Sequence, residues 1–162
     1  MNAFTFYDLH RIAYADALER QTSAFNALLE NKREGKPGEN CLFFCEHEPV
    51  FTIGKSGKDS NLLIPESLLA ERGISLYHIA RGGDITYHGP GQITGYPVFD
   101  LERWHLGLKA YIARLEEAVI RFLRLYDIKG ERLDGATGVW LDPLVAGRAR
   151  KICAIGVKSS RF

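Results

Sequence analysis

The side chains best suited to chemistry are concentrated in twelve residues, Arg81-Gly82-Gly83-Asp84-Ile85-Thr86-Tyr87-His88-Gly89-Pro90-Gly91-Gln92. Gly82, Gly83, Gly89 and Gly91 tolerate positive φ and let another group approach the backbone. Pro90 fixes its own φ. Glycine N–H groups in such a stretch can hold a carboxylate, a phosphate or a developing oxyanion. Arg81 is a candidate anion holder or a solvated cation at a strand end. His88, with an ordinary pKa near neutrality, is a candidate general base or a structural hydrogen-bonding group. Apolar runs at residues 74–80 and 96–99 predict two strands flanking one long glycine-rich connection.

A second candidate lies at the start of the run Lys151-Ile152-Cys153-Ala154-Ile155-Gly156-Val157-Lys158. Alternation predicts one strand over 151–158, with Lys151, Cys153, Ile155 and Val157 on one face. A lysine beside a closed pocket can exchange protons; one at a strand end can equally keep its ammonium in water. Cys153 shares the Lys151 face but has no evident histidine partner, so a buried thiol is expected rather than a nucleophile. Cys41 and Cys45 lie in an apolar run with His47 close by, but no further ligand completes a metal set. Small buried thiols in a reduced compartment account for them. The turn at residues 54–59 carries Gly54, Lys55, Ser56 and Gly57 without the glycine spacing of a phosphate-binding loop, so no nucleotide site is expected there.

These groups need a scaffold. The 162 residues suit a single domain with a real core. A net charge of +1 gives no bulk attraction to nucleic acid or membranes. No apolar run approaches the roughly 20 residues of a membrane helix, and the N-terminus lacks a signal core, which predicts a cytoplasmic protein. Tyr14, Ala17, Leu18, Gln21, Phe25, Leu28 and Leu29 recur at helical steps over residues 13–32, with Glu19, Arg20 and Glu30 facing water. A short edge strand is expected at 3–8, a central strand at 41–45 ended by residues 46–49, and another at 50–53. Pro65 and Gly73 bracket a compact helix. A second long helix starts at or just after Asp100, buries Leu108, Tyr111, Ile112, Leu115, Val119, Phe122 and Tyr126, and leaves Glu116 with the cations largely off that stripe. A strand follows at 137–141. Short strands, uneven alternation with helices and no GxGxxG argue for α+β: a mixed β-sheet with packed helices rather than a regular dinucleotide-binding fold.

Residues 81–92, followed by Tyr96-Pro97-Val98 and later by the segment from Lys151 to Val157, resemble the lipoyl(octanoyl) transferase family. The segment from Glu46 to Gly54 is similar to that family's early His-x-Pro strand and turn. The likeness extends from the first helix to Arg161. It implies a fold similar to the catalytic module of biotin protein ligases and lipoate ligases. It also implies transfer of an octanoyl group from octanoyl-acyl carrier protein to a lysine of a lipoyl domain. The acceptors implied are the lipoyl domains of 2-oxoacid dehydrogenase complexes and the glycine cleavage H protein. No metal and no nucleotide cofactor is implied, because the acyl group arrives activated.

By the same resemblance, Arg81, Gly82, Gly83, Asp84, Ile85, Thr86, Tyr87 and His88 line the acyl site. Ala154, Ile155 and Gly156 form a second lining segment. Lys151 matches the lysine that lowers the pKa of a catalytic cysteine. That cysteine lies further on in the family, in a Pro-Cys-Gly context preceded by a His-Gly segment, whereas these residues end at Ser159-Ser160-Arg161-Phe162. None of Cys41, Cys45 and Cys153 has that context. The expectation is therefore an incomplete member, with little transferase activity of its own if these residues are the whole polypeptide. Two other readings are an ATP-dependent lipoate or biotin ligase module, and a non-catalytic binder of acyl carrier protein or lipoyl domains. In the latter, Arg114, Arg121, Arg124, Arg148 and Arg150 would meet acidic surfaces.

Overall fold

A computed structural model describes residues 4–160 of the chain. They fall into two compact units: one built from the chain up to Asp100 together with the stretch from Val157 onward, the other from Leu101 to Gly156.

In the first unit, β1 (Thr5–Ile12) leads into α1 (Tyr14–Arg33) and then β2 (Cys41–His47). β2 is the middle strand of a three-stranded sheet. β1 runs parallel to it and β6 (Thr94–Val98) antiparallel. The near-continuous apolar composition of β2 is what a strand paired on both edges calls for. Its side chains alternate, with Cys41, Phe43, Cys45 and His47 buried. The strand thus continues through His47, beyond the break expected at Glu46, because His47 is paired with Ile12 and buried. The expected edge strand at 3–8 is β1, displaced toward the C-terminus; residue 3 lies outside the described residues.

α1 buries Tyr14, Ala17 and Leu28 as its periodicity predicts, and leaves Glu19, Arg20 and Glu30 exposed. Leu28 joins Cys41, Phe43 and Val98 in one core cluster. The second sheet has β3 (Val50–Ile53) at its centre, parallel to β4 (Ser75–His78) and antiparallel to β5 (Ile85–His88). α2 (Glu66–Glu71) precedes β4, with Pro65 before its first turn and Gly73, at φ +65°, just beyond its end.

β5 corrects the sequence reading. Residues 81–92 are not one connection. They are a turn, a four-residue strand and a second turn. Thr86 and Ile85 pair with Thr52 and Ile53, so the β-branched residues inside the glycine-rich stretch form a ladder while the glycines fold at its ends.

In the second unit, α3 (Leu108–Arg124) follows a short 3-10 turn at Leu101–Trp104 and packs on an antiparallel sheet of β7 (Glu131–Leu133), β8 (Ala136–Leu141) and β9 (Arg150–Cys153). The core here is Ile120, Leu123 and Val139. The helix begins later than expected, and its buried face is turned from the expected stripe. Phe122 and Tyr126 are exposed, whereas Glu116 is buried. Glu116 goes inside because β8 leaves an N–H needing an acceptor: Gly138 N–H donates to Glu116 Oε1 at 2.9 Å, and Arg132 Nε donates to Oε2 at 3.1 Å. Gly138 sits at φ +119°, and a Cβ there would run into the Cys153 carbonyl oxygen. β9 stops at Cys153, so the expected strand over 151–158 is half that length, and Ala154, Ile155 and Gly156 lie outside any ladder.

Candidate functional site

The twelve-residue stretch is organised by the side chain of Arg81, which the structure turns inward. Its Nη2 donates to Thr52 O at 2.9 Å, to Thr52 Oγ1 at 2.8 Å and to Thr86 Oγ1 at 2.9 Å. Its Nη1 donates to Gly82 O at 2.9 Å. A planar guanidinium with fixed donors suits this multidentate task. Arg81 therefore clamps β3 to β5 and to its own turn; it is neither a solvated cation nor a free anion holder. Burial pulls its pKa down, opposed by the nearby Tyr14, Asp84 and Tyr96.

The backbone around it is also committed. Gly54 N–H donates to Asp84 O, Lys55 N–H to Arg81 O, Ser56 N–H to Gly83 O and Gly57 N–H to Gly54 O. These amides offer no cradle to a phosphate. A Cβ on Gly54 would meet the Gly83 carbonyl and the Arg81 guanidinium, so this close approach of two turns requires glycine. Gly82 N–H donates to Val157 O at 3.2 Å. Asp84 accepts two bonds from Asn61 Nδ2, at 2.8 and 2.7 Å. Ile85 is half-buried opposite Ile53. Tyr87 is exposed and packs on Phe51, with ring centroids 5.2 Å apart.

His88 closes the second turn. Its Nδ1 lies 2.6 Å from Gln92 Oε1, and its Nε2 lies 3.5 Å from Thr52 Oγ1. Burial lowers its pKa, with His47 and Arg81 adding to the effect and the Gln92 bond opposing it. Beside it, 5.9 Å between ring centroids, stands His47, fully buried. His47 Nδ1 is 3.1 Å from Ile12 O, which only a ring N–H can satisfy, so Nε2 accepts from Tyr96 OH at 2.7 Å. His47 is likewise held neutral, burial lowering its pKa more than the Ile12 bond raises it. Tyr14 packs on His47 and on Tyr77, with ring centroids 5.3 and 4.8 Å away. The result is a buried, hydrogen-bonded cluster of aromatic and polar rings around one cation.

Of this cluster, the sequence singled out Arg81, Thr86 and His88. Thr52, Tyr14 and Tyr96 were not read as site residues. Thr52 carried a signal: a lone hydroxyl between Phe51 and Ile53 in an apolar strand must find partners once buried. Tyr14 and Tyr96 carried none, since an aromatic ring on a buried face reads equally as core.

Lys151 lies in the second unit, on β9 opposite Trp140, with its Nζ 4.6 Å from the indole ring centroid. Cys153, two residues on, has its pKa raised by burial first and by Glu116 second, while Lys151 pulls the other way. Burial, and then Asp8, pushes the Cys45 thiol up to about 11. Burial and Glu39 raise that of Cys41. All three cysteines are thus held as thiols at neutral pH.

Residues 14–162 match the lipoyl protein ligase A/B catalytic domain. The chain is 76% identical over 162 residues to an octanoyltransferase of Parabacteroides distasonis, of which it spans 73%. It is 53% identical over 155 residues to an octanoyltransferase of Bacteroides fragilis, of which it spans 70%. An octanoyltransferase of Porphyromonas gingivalis is 56% identical over 158 residues, and the chain spans 32% of it. Among solved structures, a chain from an archaeal lipoylation system, a bi-partite lipoate protein ligase and its E2 lipoyl domain from Thermoplasma acidophilum, superposes with a TM-score of 0.62 at 16% identity. That match covers 93% of this chain and 54% of the other. Lipoate-protein ligase A bound with ATP gives a TM-score of 0.57 at 18% identity, covering 82% of this chain and 51% of the other. At such identities these structures speak for the fold alone: the mixed α/β architecture is that of the lipoate ligase catalytic module, as the sequence led us to expect.

Proposed function

Because the chain belongs to the lipoyl protein ligase A/B catalytic domain family, we propose that it is the greater part of an octanoyltransferase. In this reading it moves an octanoyl group from octanoyl-acyl carrier protein to a lysine of a lipoyl domain. The carrying observation is the 76% identity to the Parabacteroides distasonis octanoyltransferase, unbroken over all 162 residues. The family match runs through both compact units, which supports reading them as one catalytic domain. The acceptors in this proposal are lipoyl domains of 2-oxoacid dehydrogenase complexes and the glycine cleavage H protein, and the compartment is the cytoplasm. Among the described residues no helix is long and apolar enough to cross a membrane.

The chemistry runs in two halves. A cysteine thiolate attacks the thioester carbonyl of the donor, the carrier's C–S bond breaks, and the carrier leaves as a thiol. The lipoyl-domain amine then attacks the acyl-enzyme, an amide bond forms, and the cysteine leaves as a thiolate. In this proposal the nucleophile lies outside these residues, because none of Cys41, Cys45 and Cys153 has the family's Pro-Cys-Gly context; burial, which raises the pKa of all three, agrees with that. Lys151 delivers a proton to the departing carrier thiol and takes one from the attacking amine. Its pull on the Cys153 thiol is the electrostatic effect needed for a neighbouring thiolate. Residues 81–88 and 154–156 line the acyl group, with the Arg81 clamp holding the first segment rigid.

The full polypeptide carrying these residues is expected to acylate a lipoyl domain from octanoyl-acyl carrier protein without ATP. Intact-mass measurement after donor alone should show one octanoyl group, on none of Cys41, Cys45 and Cys153. A requirement for free octanoate and ATP would replace this reading with the ligase one. The internally committed amides of residues 54–57 speak against that alternative.

A further inference from the structure

Gln92 ends the glycine-rich stretch, and its amide has an orientation that can be read from its partners. Gln92 Nε2 donates to the Tyr87 carbonyl at 3.2 Å. A carbonyl accepts only, so the amide nitrogen must face Tyr87 and the amide oxygen must face His88. That oxygen is 2.6 Å from His88 Nδ1. The turn that places it is itself held: Gln92 N–H donates to Gly89 O at 3.1 Å, and Gly91 N–H donates to Glu46 Oε2 at 3.0 Å.

The other side of the ring is compatible with a proton on Nδ1. Arg81 Nη2 donates to Thr52 Oγ1, and a guanidinium cannot accept. The Thr52 hydroxyl proton therefore points elsewhere, and His88 Nε2 lies on that side at 3.5 Å, longer than an ordinary hydrogen bond. The 2.6 Å contact reached through Tyr87 and Gln92 sets the state, and the longer Thr52 contact agrees with it without fixing it. His88 carries its proton on Nδ1 and a lone pair on Nε2.

We infer that Gln92 is a positioning residue, which locks His88 in the neutral Nδ1–H tautomer and so removes it from the proton traffic of the site. This inference deepens the octanoyl-transfer reading, because it leaves the proton transfers of both halves to Lys151. The charged and titratable groups facing His88 agree with it. Arg81 is a cation, His47 is a second neutral imidazole, and Tyr14 stacks at 6.5 Å; none is an anion that would stabilise an imidazolium.

The test is 15N-edited NMR of the histidine rings, in the full polypeptide, against pH. Wild type should show His88 neutral with Nδ1 protonated throughout the neutral range. Gln92→Glu puts a carboxylate where the amide oxygen stood and should raise the His88 titration by a unit or more. Gln92→Leu removes the acceptor and should release a mixture of tautomers. Thr52→Ser should keep the wild-type state. His47, whose proton is set by Ile12 O, serves as the internal reference for an intact fold. In octanoyl transfer, wild type should show no pH limb belonging to His88, and Gln92→Glu should acquire one. An Nε2–H tautomer in wild type, an ordinary titration of His88 there, or a pure Nδ1–H tautomer in Gln92→Leu overturns the inference. The ring spectra need no substrate, so they decide it even if octanoyl transfer itself is not found.

Discussion

At the scale of single residues, burial dictates which polar groups are consequential. Thr52 is fully buried and bonded through both its carbonyl and its hydroxyl to the same arginine nitrogen. Thr52→Val keeps the shape and β propensity but leaves Arg81 short of an acceptor. It should cost about 1–3 kcal/mol in chemical denaturation, whereas Thr52→Ser should cost only about 0.8 kcal/mol for the lost methyl. Arg81→Lys keeps the charge and loses the fork, so it should resemble Thr52→Val rather than a harmless exchange. A solvated Arg81 would leave Arg81→Lys silent. Sequence reasoning weighed Arg81 as an anion holder or a strand-end cation because both are common fates of an arginine. The side chains that enclose it come from positions 52 and 86, and nothing local at position 81 announces them.

At the scale of elements, the readable features were those enforced by periodicity, and the unread ones were set by partners. α1 follows its apolar steps because Leu28 packs on Cys41, Phe43 and Val98, with Ala24 and Phe25 beside it. α3 departs from its stripe because β8 presents a single N–H, that of Gly138, to a helix otherwise packed on Val139. A carboxylate mid-helix reads as a solvated residue until that donor is known. Glu116→Ala should therefore destabilise by about 1–3 kcal/mol, as the loss of an acceptor from a buried donor does. A mutation on an exposed face would give almost nothing. Gly138→Ala should cost about 1–3 kcal/mol through positive φ alone, and more through its meeting with the Cys153 carbonyl oxygen. Hydrogen exchange at Cys153 and Trp140 should report whether β8 and β9 have separated. β5 was hidden by its own neighbours: four residues of ladder between glycine turns do not outweigh the glycines in a sequence window.

At the scale of the molecule, the neutral histidines give stability a pH dependence of known sign. Burial lowers the pKa of His47 and of His88 below the usual value of about 6.5. The unfolded chain therefore takes up protons first as pH falls. Their contribution is complete above about pH 6.5 and is lost as pH drops through their native-state values. At the other end, burial holds Tyr96 protonated far above the usual tyrosine value and Tyr111 up to about 12. Above about pH 10 the unfolded chain loses tyrosine protons first, and stability falls again. Denaturation midpoints across pH should trace a plateau with both shoulders. His47→Gln should flatten the acidic shoulder in particular. The fold class and the family were legible here because motif and order together span the chain; the division into two units was not, since no linker composition marks residues 100 and 157.

The bond from Gly82 N–H to Val157 O joins parts of the first unit that the whole second unit separates in sequence. A ribosome adds about 5–20 residues per second. The nascent Arg81 turn therefore waits several seconds, with one donor still on water, while every strand of the second unit emerges and can pair. Vectorial synthesis thus delivers the inserted unit complete before the unit that flanks it in sequence can close.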